Sequence, residues 1–113
     1  MGVHDQLLID VVHETDRVVL SLEGELDMAS AAQLQSAFED ADLATKTIVV
    51  LDLRQLHFVD STGLRIILAA RNRCRERGQE LTVTRGSQQV ERLLSVTGMA
   101  EHLRTAPPDE MRA

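Results

Sequence analysis

Between Leu7 and Leu22 the apolar residues fall in two short bursts, separated by the polar Glu14-Thr15-Asp16. The first, Leu7 to His13, has the length of a strand. In the second, Val18, Leu20 and Leu22 alternate with Val19 and Ser21. Period-two spacing sends successive side chains to opposite faces of a sheet, and so short a link joins the two strands as a hairpin. Gly24 to Asp27 then reads as a loop. Ser30-Ala31-Ala32-Gln33 has the form of a capping box, in which the Ser oxygen takes an amide three residues on and the Gln reaches back. Behind it Leu34, Ala37, Phe38 and Ala41 recur at i, i+3, i+4 and i+7, a helix with one apolar stripe. With that helix start already satisfied, Asp27 lies ahead of it in the loop and is free for other work.

Thr47 to Leu53 is a nearly unbroken apolar run rich in Ile and Val, the pattern of a strand buried on both faces. Asp60-Ser61-Thr62-Gly63 opens a second helix, with Leu64, Ile67, Leu68 and Cys74 facing inward, and Gly78 closes it. Leu81 to Thr84 is a further strand. Ser87 caps a third helix, in which Val90, Leu93, Leu94 and Thr97 keep helical spacing up to Gly98. Residues 106–113 contain Pro107-Pro108 and little that can be buried, so a mobile tail is expected after a domain of residues 1–105. Hairpin, helix, strand, helix, strand, helix specifies an α/β fold: one domain with a mixed, mostly parallel sheet, an N-terminal hairpin and helices packed on it.

Composition narrows the function. Of the 113 residues 43% are apolar but only 2% aromatic, so the core is aliphatic, and the shortage of aromatics argues against a surface that stacks on unpaired bases. A net charge of −6 argues against nucleic acid, whose phosphates call for an excess of Lys and Arg. Lys46 is the sole lysine, and five arginines fall between Arg65 and Arg77, a solvated helix face or a protein interface. Cys74 has no partner cysteine and reads as a small core residue. The first ten residues lack a basic start and an apolar stretch, and no apolar run approaches the ~20 residues that span a bilayer; a cytoplasmic protein without membrane attachment is expected. His4, His13, His57 and His102 are scattered without ligand spacing, so no metal is expected. There is no Gly-x-Ser-x-Gly elbow and no Gly-rich phosphate loop. Asp60 adjoins Ser61, and neighbouring residues cannot form the relay a nucleophilic serine needs. The expectation is a binding protein without cofactor rather than an enzyme.

A buried strand leading through His57-Phe58-Val59 into Asp60-Ser61-Thr62-Gly63-Leu64 and a helix is the one feature left over. Alone it describes a helix cap. Its surroundings do more. Gly24-Glu25-Leu26-Asp27, Val50-Leu51-Asp52-Leu53 with Phe58-Val59-Asp60-Ser61-Thr62-Gly63-Leu64, and Leu94-Ser95-Val96-Thr97-Gly98-Met99 stand in order over about Leu7 to Leu103. Together they resemble the STAS domain of bacterial anti-sigma factor antagonists and of sulphate-transporter tails. That resemblance implies a phosphoacceptor at Ser61, modified by an anti-sigma factor that is also a serine kinase and reset by a phosphoserine phosphatase. It implies that the unphosphorylated form binds the anti-sigma factor and frees the sigma factor. Asp27 matches the family's loop aspartate near the phosphoacceptor, and Asp60, Thr62, Gly63 and Arg65 are its neighbours. Thr62 replaces the commoner Ser, Met99 replaces Leu, and Arg65 stands where Gly is usual, placing a long cation on the face that partners contact. A STAS module of a transport or sensory complex is the alternative within the family; a nucleotide-binding or hydrolysing protein is the alternative outside it.

Overall fold

The polar Glu14-Thr15-Asp16 link turns the chain back on itself, and strands β1 (Leu7–His13) and β2 (Arg17–Leu26) pair antiparallel, Leu7 opposite Gly24 and His13 opposite Val18. In this computed structural model, which describes residues 6–99 and 104–106, the chain continues through α1 (Ala31–Phe38) and a short 3-10 turn at Ala41–Thr45. Then come β3 (Ile48–Val59), α2 (Ser61–Glu76), β4 (Glu80–Thr84), α3 (Gln88–Val96) and β5 (Arg104–Ala106). The five strands lie in the order β1-β2-β3-β4-β5, and every pairing after the hairpin is parallel. Right-handed crossovers that advance one way across a sheet put their helices on one face. Leu20, Leu22, Leu51, Leu53 and Val83 on that face join Leu34, Phe38, Ile67, Cys74, Val90 and Leu94 of all three helices in one aliphatic core.

The expected α/β architecture is present, with local departures. Gly24 does not end β2. Its φ of +108° takes up a register shift against β3, and a Cβ there would sit 2.1 Å from the Gln6 carbonyl oxygen. Glycine thus absorbs the irregularity and the strand resumes to Leu26, so the loop begins only at Asp27. β3 runs past Leu53 to Val59, with Leu56 and Val59 buried between exposed neighbours. β5 was not expected: Arg104-Thr105-Ala106 carries no apolar alternation and is defined by its pairing to Thr82, Val83 and Thr84. Ala106, assigned to the tail by its sequence, belongs to that strand; residues 107–113, His4 and His102 lie outside the described residues. Leu68 is half-buried and Thr97 exposed, each at the edge of its helix stripe rather than within it.

The capping box does not form. Ser30 precedes α1 with helical backbone angles and makes no cap bond; its Oγ donates to the Glu25 carbonyl (2.9 Å) and accepts from the Asp27 amide (3.0 Å). Gln33 turns away and donates from Nε2 to the Leu7 carbonyl (3.1 Å), tying α1 to β1. By contrast, α2 and α3 are capped as their sequences indicate, by Asp60 and Ser87. The first turn of α2 sits hard against the end of β2. A Cβ on Gly63 would lie 2.7 Å from the Leu26 carbonyl oxygen and from Val59 Cγ2. Only glycine allows so close an approach.

On the far side of the sheet Asp52 is buried at 6% exposure. Its Oδ1 accepts from the Arg54 amide (3.0 Å), Arg54 Nε (3.0 Å) and Thr84 Oγ1 (3.2 Å), and its Oδ2 from Arg54 Nη2 (3.0 Å) and Ser21 Oγ (3.4 Å). Burial pushes the carboxyl pKa up, but the Arg54 side-chain bonds, its amide and its charge, with the Thr84 hydroxyl, hold it below the usual carboxylate value. Such a group stabilises the fold above its unfolded pKa of about 4, and that contribution is lost as pH falls through the lower folded value. Thermal melts of wild type and Asp52→Asn should therefore differ by several degrees at pH 7, from a loss of about 1–2 kcal/mol, and converge below about pH 4. A gap independent of pH would assign the effect to packing. Gly63→Ala should lower the melting temperature by several degrees, from about 1–3 kcal/mol of overpacking; an unchanged melt would show that α2 has room to retreat.

Candidate functional site

Asp60 leaves β3 with an extended backbone and caps α2, its Oδ1 accepting from the Gly63 amide at 2.9 Å. Its Oδ2 accepts from the Met28 amide at 3.3 Å, and its own amide donates to the Leu26 carbonyl at 3.2 Å. One carboxylate thus fastens the loop after β2 to the start of α2. Both of its oxygens are engaged with backbone, which leaves Asp60 a framework residue rather than a base.

Ser61 is the first residue of α2 and is exposed. Among the described residues its hydroxyl makes no hydrogen bond, and the amides of Ser61 and Thr62 are open, as expected of a helix start. Thr62 is half-buried, Gly63 and Leu64 are buried, and Arg65 is exposed one turn beyond Ser61 on the same face. None of the five arginines from Arg65 to Arg77 makes an ion pair among the described residues, whereas Arg17 pairs with Glu14, Arg54 with Asp52 and Arg85 with Glu91. The sequence-predicted neighbours of Ser61 are accordingly gathered at one end of the sheet, within two loops and one helix turn.

Asp27 is not spare. Its Oδ1 accepts from the amides of Ala29 (3.0 Å) and Ser30 (3.1 Å) and lies 3.1 Å from Ser30 Oγ, while its carbonyl accepts from the Ala31 amide (2.8 Å). This is an Asx turn, the local bond by which Asp competes with regular structure. The expectation that Ser30 and Gln33 satisfy the start of α1 is thereby corrected: Asp27 does that work, because its carboxylate reaches both amides while Ser30 Oγ is drawn to the Glu25 carbonyl.

Two residues of the site escaped sequence reasoning. Met28 is 77% exposed in the loop held by Asp60, and Phe58 is 40% exposed two residues before that cap. The signal was available: Phe58 is one of only two Phe, Tyr or Trp residues in the chain, on the exposed C-terminal part of β3 where Arg54, Gln55 and His57 are also exposed. The arrangement presents an exposed hydroxyl with acidic and apolar neighbours. Among the described residues no three His, Cys, Asp or Glu side chains are placed to hold a metal ion, and no helix is long and apolar enough to cross a membrane.

Comparison with known proteins is consistent with this geometry. The family described as "Mlab, STAS domain" matches residues 9–105. The anti-sigma-F factor antagonist RsfB of Mycobacterium tuberculosis is 31% identical over 77% of this chain and 71% of its own. The anti-sigma-B factor antagonist of Listeria monocytogenes is 28% identical over 78% and 77%. In fold, an anti-sigma factor antagonist from Mycobacterium paratuberculosis matches with a TM-score of 0.78 at 24% identity, covering 97% of this chain and 94% of that one. SpoIIAA matches both in its unphosphorylated form (TM-score 0.76, 21% identity, 91% of each chain) and, from Bacillus, in its phosphorylated form (0.70, 20% identity, 91% and 95%). With a family match over most of its length and a relative above 30% identity, the chain belongs to the STAS domain family, alongside the anti-sigma factor antagonists.

Proposed function

We propose that this protein is a cytoplasmic anti-sigma factor antagonist whose grip on an anti-sigma factor with serine kinase activity is switched by phosphate on Ser61, and which a phosphoserine phosphatase resets. The observation that carries the reading is the free, exposed Ser61 hydroxyl on the first residue of a 16-residue helix whose cap is rigidly held. A phosphate there meets the open amides of Ser61 and Thr62 and the positive end of the helix dipole, so the fold tolerates it. SpoIIAA, which shares the fold, exists in both forms. The added charge of about −1.5 to −2 acts instead at the docked surface, beside carboxylates that fit a hydroxyl. Met28 and Phe58 supply apolar contact around it. The roles carried by the names of the curated relatives favour an antagonist over a STAS module of a transport or sensory complex, and over a nucleotide hydrolase, for which no phosphate loop is present in the sequence. The work is binding, not catalysis, with no nucleic acid or membrane required.

Incubation with the cognate kinase and ATP should place phosphate on Ser61 alone, mapped by peptide mass spectrometry. Ser61→Ala should bind the anti-sigma factor whatever the kinase does. Ser61→Asp should melt within a few degrees of wild type yet bind about a hundredfold more weakly in calorimetry, about 3 kcal/mol. Phosphate on Thr62, or on any residue of Ser61→Ala, would refute the assignment. Asp27→Ala should cost about 1 kcal/mol of stability through the lost turn. Asp27→Asn keeps an acceptor oxygen and should melt close to wild type, so a slower phosphorylation in that variant isolates the part its charge plays at Ser61. Equal rates would leave Asp27 a turn residue only.

A further inference from the structure

β3 is longer than its neighbour on the side away from β2. The β3–β4 ladder ends where Leu51 meets Val83, eight residues short of the end of β3 at Val59. Beyond that point the backbone of β3 has no strand on this side, and its polar groups need other partners. Leu53 donates to Thr84 Oγ1 at 2.8 Å. Val59 is served by one side chain: its amide donates to Gln89 Oε1 at 3.1 Å, and its carbonyl accepts from Gln89 Nε2 at 3.3 Å.

A glutamine amide carries one acceptor oxygen and a donor nitrogen, the same pair a strand residue offers across a ladder. Gln89 therefore stands in for the missing strand at a single residue. The geometry is notable because Gln89 is an exposed residue. A glutamine in water keeps its rotamers free, and ordering it costs side-chain entropy unless the bonds it makes outweigh that loss. The root of the side chain is firm, since Gln89 lies in the first turn of α3, capped by Ser87 and anchored by the fully buried Val90 and Leu94.

Val59 is the residue before Asp60. On its other side it pairs with Leu26, whose carbonyl also takes the Asp60 amide. The link from α3 through Gln89 to Val59 thus ends on the carboxylate that sets both the Met28 loop and the first turn of α2. We infer that Gln89 is a positioning residue for Ser61: it holds Val59 in line and so fixes where the Asp60 cap presents the Ser61 hydroxyl. The clamp itself is independent of function, but its consequence for phosphate transfer rests on the reading of Ser61 as phosphoacceptor. Misplacing a reacting group by about 1 Å can cost roughly a hundredfold in rate, so a small shift of Val59 is enough to matter.

The test uses the full ¹⁵N-labelled chain as wild type, Gln89→Ala and Gln89→Glu. In Gln89→Ala the Val59 amide should exchange with solvent at least about tenfold faster, because local opening no longer breaks a bond. The Ser61 and Gly63 amide resonances should shift while the melting temperature stays within a few degrees. Gln89→Glu adds a signature that a merely structural role lacks. Its carboxylate accepts from the Val59 amide but has no proton for the Val59 carbonyl; the protonated acid has both. The Val59 to Gly63 resonances of Gln89→Glu should therefore titrate with that carboxyl and approach wild-type positions at low pH. With the cognate kinase and ATP, Gln89→Ala should show kcat reduced roughly tenfold to a hundredfold with KM nearly unchanged. An unchanged Val59 amide in Gln89→Ala overturns the clamp whatever the kinase does. A changed amide with an unchanged kcat overturns the positioning role and leaves Ser61 as phosphoacceptor. Absence of phosphate on Ser61 of the wild-type chain overturns the reading of Ser61 and the positioning role together, even where the Val59 effect is seen.

Discussion

Asp60 divides its two carboxylate oxygens between the Gly63 amide on its own helix and the Met28 amide on another loop, and the geometry of the site follows from that division. Without the first bond, α2 begins with an unsatisfied donor in its tightest turn. Without the second, the loop from Asp27 to Ser30 keeps its Asx turn and the Ser30 bond to the Glu25 carbonyl but loses its tie to the start of α2. A hydrogen bond to a charged acceptor is worth more than a neutral one, so the same group fastens both. The arrangement also explains why Asp60, though adjacent to Ser61, is not its base: both carboxylate oxygens are directed at backbone amides and neither bonds the Ser61 hydroxyl. Ser61 is left as a hydroxyl on a rigid mount, with nothing of its own to activate it.

The mount depends on β3 being the centre of the sheet and also its longest strand. A strand that outruns its neighbours exposes backbone, and this chain meets the difficulty with side chains. Thr84 covers Leu53, Arg54 and Thr84 converge on Asp52, and Gln89 covers Val59. Every buried side-chain nitrogen and oxygen among the described residues has a hydrogen-bond partner. The overrun is what carries Asp60 and Ser61 clear of the core and onto the rim where a partner can reach them.

Much of this was legible in the sequence. The bounds of β1, the both-face burial of Val49 to Leu53, and the caps at Asp60 and Ser87 follow from period, run length and residue type. The Ser61 motif was legible because its neighbours in sequence are also its neighbours in space. What stayed hidden depends on groups distant along the chain. Ser30 and Gln33 satisfy the letter of a capping box, but the Glu25 and Leu7 carbonyls compete for them and win. Gly24 looks like a loop residue because its neighbour Gln6, which forbids a side chain there, is eighteen positions away. β5 owes its existence to β4 rather than to its own three residues. Gln89 reads as any polar residue on a helix, since nothing local says that a strand end lies beside it.

The arginines of α2 have a longer reach than any contact described so far. Residues 61–77 hold five Arg and one Glu inside a chain of net charge −6, so positive charge is concentrated along one helix and negative charge elsewhere. Such a separation makes the molecule an electric dipole, and a dipole is turned by a charged partner before the surfaces touch, over roughly a Debye length of 8–10 Å. Ser61 sits at the head of that helix. A phosphate there would offset nearly half of the helix's excess charge, so it would weaken the dipole and change how a charged body is oriented on approach, before any surface contact is made.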